Sequence, residues 1–216
     1  KIKDTFGRFM SVEIAEKLLS EKKVNLMGEE IEATILFSDI RDFTPLSEKL
    51  SAAELVDFLN LYFSHVVKPI HANGGVVNKF IGDAVMAVFA PIFGNAGHEE
   101  AAVRAALEMK RALDEFNALK KYPAVKAGIG IHRGRLVAGN IGTEERMEYT
   151  FIGDNVNIAS RIETETKNFQ TDILMSEDVV DKINKDNFKG FDFVKLGPVV
   201  MKGKSVPLSL YGMKPV

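Results

Sequence analysis

The apolar positions of the chain form short continuous runs and longer helical stripes. The runs at residues 33–37, 76–81 and 84–89 are bounded by Gly, Asp and Pro, which is typical of buried strands. The stripes at residues 51–70 and 98–119 carry apolar side chains at the i, i+3, i+4 spacing of a helix packed on a core. With a further hairpin, helix and strand downstream, this order predicts an α+β fold with a mostly antiparallel sheet covered by helices.

Capping and turn residues predict where these elements begin and end. Ser51 and Glu54 form a capping box for a helix that ends at Asn73-Gly74-Gly75. Thr44 suits the cap of a short preceding helix, and Pro45 suits its first position.

Two further residue pairs predict hairpin turns. Gly82-Asp83 separates two apolar runs and places Asp83 at a hairpin tip. Arg133-Gly134 separates the runs at 125–132 and 136–141 in the same way. A later helix is expected over about 155–166.

The first 28 residues differ from the remainder of the chain. They carry a helical apolar spacing and end in Gly28, so we expect a helical lead-in or connector at 1–28 and one domain at 29–216. The first residue is Lys1 rather than Met, so we expect a fragment of a longer protein.

Composition narrows the class of protein. The chain has 216 residues, of which 46% are hydrophobic, enough for one catalytic domain. Its net charge of -2 creates no overall field that attracts nucleic acid. It has no cysteine, which excludes disulfides, thiolate zinc sites and cysteine nucleophiles and favours a cytoplasmic location. No run approaches the roughly 18 apolar residues of a membrane-spanning helix.

Two carboxylates stand where buried strands stop. Asp39 and Asp83 each follow an apolar run, and hard divalent cations prefer such oxygen ligands. Either aspartate alone is most simply a turn or cap residue. The pair predicts a magnesium site that leaves coordination positions for water or for the phosphates of a substrate.

For the other candidate residues, the evidence for a function is weaker when each is considered alone. Asn157 and Arg161 share one helix face, which suits a transferring phosphoryl group but also an ordinary solvated face. Lys79 lies in an apolar strand and needs a partner or a ligand there. Lys202 lies in a loop where a lysine is usually solvated, and His132 has the position of a structural histidine.

Four sequence motifs, in this order along the chain, resemble those of a known family. They are Phe37-Ser38-Asp39-Ile40-Arg41-x-Phe43-Thr44, Lys79-Phe80-Ile81-Gly82-Asp83, Gly130-Ile131-His132-x-Gly134 and Gly153-Asp154-x-Val156-Asn157-x-Ala159-x-Arg161. As a set they resemble the catalytic domain of class III nucleotidyl cyclases over about residues 6–213. The resemblance implies a ferredoxin-like βαββαβ-type sheet covered by helices, with added C-terminal strands and a helix.

The resemblance also implies roles for matched residues in a cyclase that makes cyclic AMP and pyrophosphate from ATP. They are Asp39, Ile40 and Asp83 for two Mg²⁺ ions, replaceable by Mn²⁺; Lys79 and Thr150 for adenine; Lys202 for the phosphates; and Asn157 and Arg161 for the transition state. Independently of the resemblance, the backbone of the turn at 40–44, which includes Phe43 and Thr44, leads into a helix start and is expected to face the phosphates of the substrate. In this family one chain supplies the metal aspartates and its partner supplies the selecting pair, Asn and Arg. A homodimer with shared sites, controlled by an upstream regulatory domain, is therefore expected.

Two positions depart from the family pattern. Asp42 stands where Gly is usual and adds a carboxylate near the metal site. Gly128 stands where the vertebrate enzymes have a phosphate-contacting Arg. Three other functions stay open: a diguanylate cyclase, although the hairpin lacks that family's motif; a guanylate cyclase; and a catalytically silent module that binds nucleotide and regulates.

Overall fold

The computed structural model describes Ile14 and residues 28–143, 145, 147–201 and 205–216. The strands are β1 (Glu29–Ile40), β2 (Val76–Ile81), β3 (Ala84–Phe89), β4 (Ala127–Gly142), β5 (Met147–Ile152), β6 (Ile173–Ser176), β7 (Phe191–Val199) and β8 (Leu208–Pro215). The α-helices are α1 (Phe43–Ser47), α2 (Ala52–Ala72), α3 (His98–Ala118), α4 (Asp154–Asn168) and α5 (Glu177–Val180). Short 3₁₀ turns span Pro91–Phe93 and Lys185–Phe188.

One sheet organises the described residues. Its strand order is β2-β3-β1-β4-β6-β8-β7, and β5 pairs with β4 outside this path. The β4–β6 pair is parallel, and the others are antiparallel. The predicted α+β class with a mostly antiparallel sheet is therefore confirmed.

Strand β1 lies inside the sheet, between β3 and β4, and most of its residues are buried on both faces. Leu36 packs in a cluster with Phe58 of α2 and Met109 of α3. Ile35, its neighbour on the opposite face, packs in a second cluster with Ala159 of α4. Because successive side chains of a strand alternate between faces, a continuous apolar run is what a doubly covered strand requires.

The capping box of α2 is present as predicted. The Ser51 backbone N–H donates to Glu54 Oε2 at 2.8 Å, and the Glu54 N–H donates to Ser51 Oγ at 3.3 Å. The start of α1 was wrong by two residues. Asp42 is the N-cap, without a side-chain cap bond, and Thr44 and Pro45 lie inside the helix.

The predicted turn at Arg133-Gly134 is wrong. Strand β4 runs without interruption through these residues, which pair with Thr34 and Ala33 of β1. Gly134 instead allows Asn155 of α4 to pack closely against β4, because a Cβ at Gly134 would lie 2.4 Å from the Asn155 side chain. Asn155 Nδ2 donates to the Arg135 carbonyl at 2.7 Å and holds α4 against the strand.

Of the predicted lead-in, the structure describes Ile14 and Gly28; the remaining residues lie outside the described part. Ile14 is helical and 3% exposed, and it packs in the same cluster as Ile31 and Ile35. Among the described residues, no helix combines the length and apolar character needed to cross a membrane.

Candidate active site

Asp39 and Asp83 meet because of the pairing between β1 and β3. Ser38 lies opposite Val85, so the end of β1 is beside the tip of the β2–β3 hairpin. The Ile40 backbone N–H donates to Asp83 Oδ2 at 3.2 Å. Gly82 forms the turn with a φ of 64°, a backbone region in which residues with a Cβ are uncommon.

The two carboxylates are crowded and partly desolvated. Burial and the neighbouring Asp39 carboxylate raise the pKa of Asp83 to about 7. Such crowding is relieved when a divalent cation neutralises both groups, so these residues fit a magnesium ion. Among the described residues, no group of three or more His, Cys, Asp or Glu is arranged as a metal site. Asp39 and Asp83 would supply two carboxylates, and the other ligands would come from the Ile40 backbone, water or phosphate.

Glu163 on α4 is a third carboxylate near this pair. Burial raises its pKa to about 7, with a further contribution from the charge of Asp39. It approaches because β4 has no side chain at Gly128, where a Cβ would lie 2.6 Å from Glu163 Oε1 and 2.3 Å from Thr166 Oγ1. A larger residue at position 128 would therefore require the Glu163 and Thr166 side chains to shift.

Arg41 and Asp42 turn the chain away from the metal-site end of β1. Arg41 Nη2 donates to the Thr171 carbonyl at 2.5 Å and lies 3.6 Å from Asp172. Asp42 has a φ of 55°, the region that a glycine would occupy freely, which explains why Gly is usual there. Its carboxylate accepts from Lys167 Nζ at 3.1 Å.

Lys79 is partly exposed and has an ion-pair partner. Its Nζ lies 2.7 Å from Glu148 Oε1 on β5. The pairing of β2 with β3 skips Asn78, because Val77 lies opposite Ala87 and Lys79 opposite Met86. This β-bulge lies one residue before the lysine predicted to read the base.

Thr150 lies close to the residue that precedes Lys79. It is 7% exposed, and its hydroxyl donates to Asn78 Oδ1 at 3.2 Å. Asn78 Nδ2 in turn donates to the Tyr149 carbonyl at 3.3 Å. Consecutive residues of β2 therefore contact alternate residues of β5, and the two predicted base-reading residues are brought together within one chain.

Asn157 and Arg161 lie on α4 as predicted, with Asn157 exposed and Arg161 partly buried. Among the described residues, no hydrogen bond or ion pair joins either side chain to Asp39 or Asp83. Glu163, two residues beyond Arg161, is on the other side of the helix and faces β4.

The remaining candidates have distinct positions. Phe43 is partly buried, with its ring centroid 6.3 Å from that of Phe58, and Thr44 is exposed. Lys202 lies outside the described residues. His132 is structural, since it is 3% exposed and bonded to Ser176 Oγ at 2.8 Å and Asn155 Oδ1 at 3.0 Å.

Comparison with known proteins identifies the family. The profile of the adenylate and guanylate cyclase catalytic domain matches residues 27–214. The chain belongs to this family. An adenylate cyclase of Anabaena cylindrica is 39% identical over 84% of this chain and 36% of its own length. Adenylate cyclase 1 of Rhizobium meliloti is 38% identical over 83% of this chain and 27% of its own length.

Solved structures of the family share the fold. The guanylyl cyclase Cya2 has a TM-score of 0.76 and 31% identity, covering 88% of this chain and 94% of its own. The adenylyl cyclase CyaB from P. aeruginosa has a TM-score of 0.75 and 32% identity, covering 88% and 97%. These cyclase structures confirm the predicted fold.

The sequence reasoning missed three residues of this region: Glu163, Glu148 and Asn78. Glu163 had a detectable signal, because it follows Ile162 on the buried face of a helix that crosses glycines at 128 and 130. Glu148 and Asn78 had none, since only the β-bulge and the position of β5 bring them to Lys79 and Thr150.

Proposed function

We propose that this cyclase domain is an adenylate cyclase, which converts ATP to 3′,5′-cyclic AMP and pyrophosphate. The two curated relatives described above, at 39% and 38% identity, are named adenylate cyclases, whereas the solved adenylyl and guanylyl cyclase structures are about equally similar to the chain, at 32% and 31% identity. The observation that carries the proposal is local. Lys79 pairs with Glu148, two residues before Thr150, and Thr150 bonds to Asn78, the residue before Lys79.

The hydrogen-bond donor of Lys79 and the acceptor of Thr150 match the edge of adenine. A lysine ammonium donates to N1 of adenine, and a threonine hydroxyl accepts from the exocyclic amine. Guanine presents a ring N–H where adenine has N1, so the contact with the lysine ammonium would be lost. Buried polar groups left without partners provide strong discrimination against the wrong base.

The carboxylate pair supports a Mg²⁺-dependent reaction. Asp39 and Asp83 would hold the ions, with the Ile40 N–H fixing one Asp83 oxygen at 3.2 Å. Bound Mg²⁺, two ions per site and replaceable by Mn²⁺, supplies charge neutralisation at the triphosphate and activation of the 3′-hydroxyl. The 3′-oxygen bonds to the α-phosphorus as its proton passes to water, and the bond between the α-phosphorus and the departing pyrophosphate breaks.

Arg161 and Asn157 complete the chemistry from a second protomer. Arg161 stabilises the charge on the α-phosphate, and Asn157 orients the ribose. Support for a shared site comes from the described residues, in which neither side chain bonds to Asp39 or Asp83. Exposed apolar side chains near the two hairpins also suit a homodimer contact: Phe80, Ile81, Ile141, Met147 and Ile152.

The domain is proposed to be the output of a longer regulated protein, as its cytoplasmic catalytic part. The chain spans 36%, 10% and 27% of three adenylate cyclases that it matches. Gly28, at the end of the lead-in, lies close enough to the catalytic domain to transmit a regulatory signal. A Cβ on Gly139 would lie only 2.8 Å from the Gly28 Cα. Gly139 pairs with Thr150, so the end of the lead-in touches the strand pair that carries a base-reading residue.

The decisive measurement is product formation from ATP and from GTP with Mg²⁺ or Mn²⁺. The expected result is cyclic AMP as the dominant product, with Asp39→Ala reducing its formation by at least about a hundredfold. If cyclic GMP were the main product, the domain would be a guanylate cyclase and the ATP assignment would be wrong. Nucleotide binding without any product would favour the regulatory module, and activity that survives Asp39→Ala would refute the metal assignment.

A further inference from the structure

The β-bulge of β2 directs two consecutive side chains to β5. In a regular strand, Asn78 and Lys79 would point to opposite faces of the sheet. The extra residue at Asn78 breaks this alternation. As a result, Asn78 reaches Thr150 at 3.2 Å while Lys79 reaches Glu148 at 2.7 Å.

The hydrogen bonds around Asn78 fix the direction of the Thr150 hydroxyl. The Tyr149 carbonyl can only accept, so it must face the amide nitrogen of Asn78, at 3.3 Å. The amide oxygen of Asn78 must then face Thr150. Because this oxygen can only accept as well, the hydroxyl hydrogen of Thr150 is used in the bond to Asn78.

We propose that Asn78 is a specificity-determining positioning residue, which holds the Thr150 hydroxyl as a hydrogen-bond acceptor towards the purine. This inference rests on the proposed adenylate cyclase function. With its hydrogen donated to Asn78, the hydroxyl presents lone pairs to the exocyclic amine of adenine. The same lone pairs would face the carbonyl oxygen of guanine, which is repulsive.

The burial of Thr150 strengthens the effect of its hydroxyl direction on the choice between adenine and guanine. Thr150 is 7% exposed, so little water is available to offset a mismatched contact. A threonine hydroxyl without such an anchor rotates freely and can either donate or accept. Thr150 alone therefore tolerates both purines at this position, and the Asn78–Thr150 pair selects adenine.

The test compares kcat/KM for ATP and GTP in wild type, Asn78→Leu and Asn78→Ala. Both variants remove the amide that accepts from Thr150. We expect the ATP-to-GTP ratio to fall by about fivefold to tenfold, the effect of one hydrogen bond, with part of the change appearing as improved use of GTP. The relative affinities for 3′-deoxy-ATP and 3′-deoxy-GTP, which lack the attacking hydroxyl, are expected to change in parallel.

Two controls separate positioning from a general structural role. In a Thr150→Val background, Asn78→Leu is expected to leave the ratio unchanged, because no hydroxyl remains to be oriented. Asn78→Asp, which still presents an acceptor to Thr150, is expected to keep a ratio closer to that of wild type.

The outcomes also distinguish this inference from the function on which it rests. A wild-type domain that makes neither cyclic nucleotide contradicts the proposed function. A wild-type domain that prefers ATP, with Asn78 variants that lose ATP and GTP activity equally, overturns the role of Asn78 alone. An equal effect of Asn78→Leu with and without the Thr150 hydroxyl overturns it as well.

Discussion

The backbone N–H of Ile40 donates to the carboxylate of Asp83 at 3.2 Å, although the two residues are 43 positions apart in the chain. This contact joins the end of β1 to the β2–β3 hairpin and places Asp83 beside Asp39. Both carboxylates of the proposed metal site therefore come from one protomer, and among the described residues no hydrogen bond or ion pair joins Asn157 or Arg161 to them.

Mixing two inactive variants tests whether the remaining half comes from a partner. Asp83→Ala and Arg161→Ala are each expected to lose at least about a hundredfold of activity. After equal mixing and free exchange, half of the dimers are heterodimers with one intact site of two, so about a quarter of wild-type activity should return.

The matched control for this mixture is Asp39→Ala with Asp83→Ala. Both substitutions damage the same half of the site, so no heterodimer contains an intact one. Recovery in this control, or its absence in the first mixture with dimers verified by sedimentation, contradicts the shared-site arrangement.

Lys79→Met tests the reading of adenine N1. The variant loses a charged hydrogen-bond donor, so kcat/KM for ATP is expected to fall about 10-fold to 100-fold, with a smaller change for GTP. Lys68→Met, at an exposed lysine of α2, is the control and should leave both values near wild type. Equal losses with both nucleotides in Lys79→Met would count against base selection.

Gly128→Ala tests the close packing of α4 on β4. The added Cβ would lie 2.3 Å from Thr166 Oγ1 and 2.6 Å from Glu163 Oε1. We expect a loss of about 1–3 kcal/mol in the free energy of unfolding, measured by denaturant titration. Gly97→Ala is the control, because a Cβ there meets nothing within 4 Å. Equal stability of Gly128→Ala and Gly97→Ala would show that α4 shifts without cost.

His132 is expected to make stability depend on pH. Burial lowers the pKa of His132 below its ordinary value of 6.5, so the folded state favours the neutral imidazole. Its stabilising contribution is complete above about pH 6.5 and is lost as the pH falls further, because the unfolded chain then binds the proton more readily.

The measurement is the melting temperature of wild type and His132→Gln between pH 7.5 and 5.5. The advantage of wild type should shrink as the pH falls. His71→Gln, at an exposed position, serves as the control for general effects of acid. A wild-type advantage that stays constant or grows towards pH 5.5 would refute the assignment of a neutral buried His132.

Local signals predicted much of the fold. The capping box at Ser51 and Glu54 and the Gly82-Asp83 turn are both present, because these depend on contacts within a few residues. Arg133-Gly134 was wrong as a turn for the converse reason. A glycine in a sequence signals either a turn or a close approach, and only the position of Asn155 on α4 decides between them.

The sequence by itself determined the family, the α+β fold and the residues available for metal, base and phosphate chemistry, since these are written in residue types and short spacings. The tertiary structure decided which of those residues meet. Strand register brings Asp83 to Ile40, and a β-bulge turns Asn78 towards Thr150 while Lys79 meets Glu148. Register and bulges arise from contacts between distant segments, and one residue of shift reverses the face on which a side chain lies.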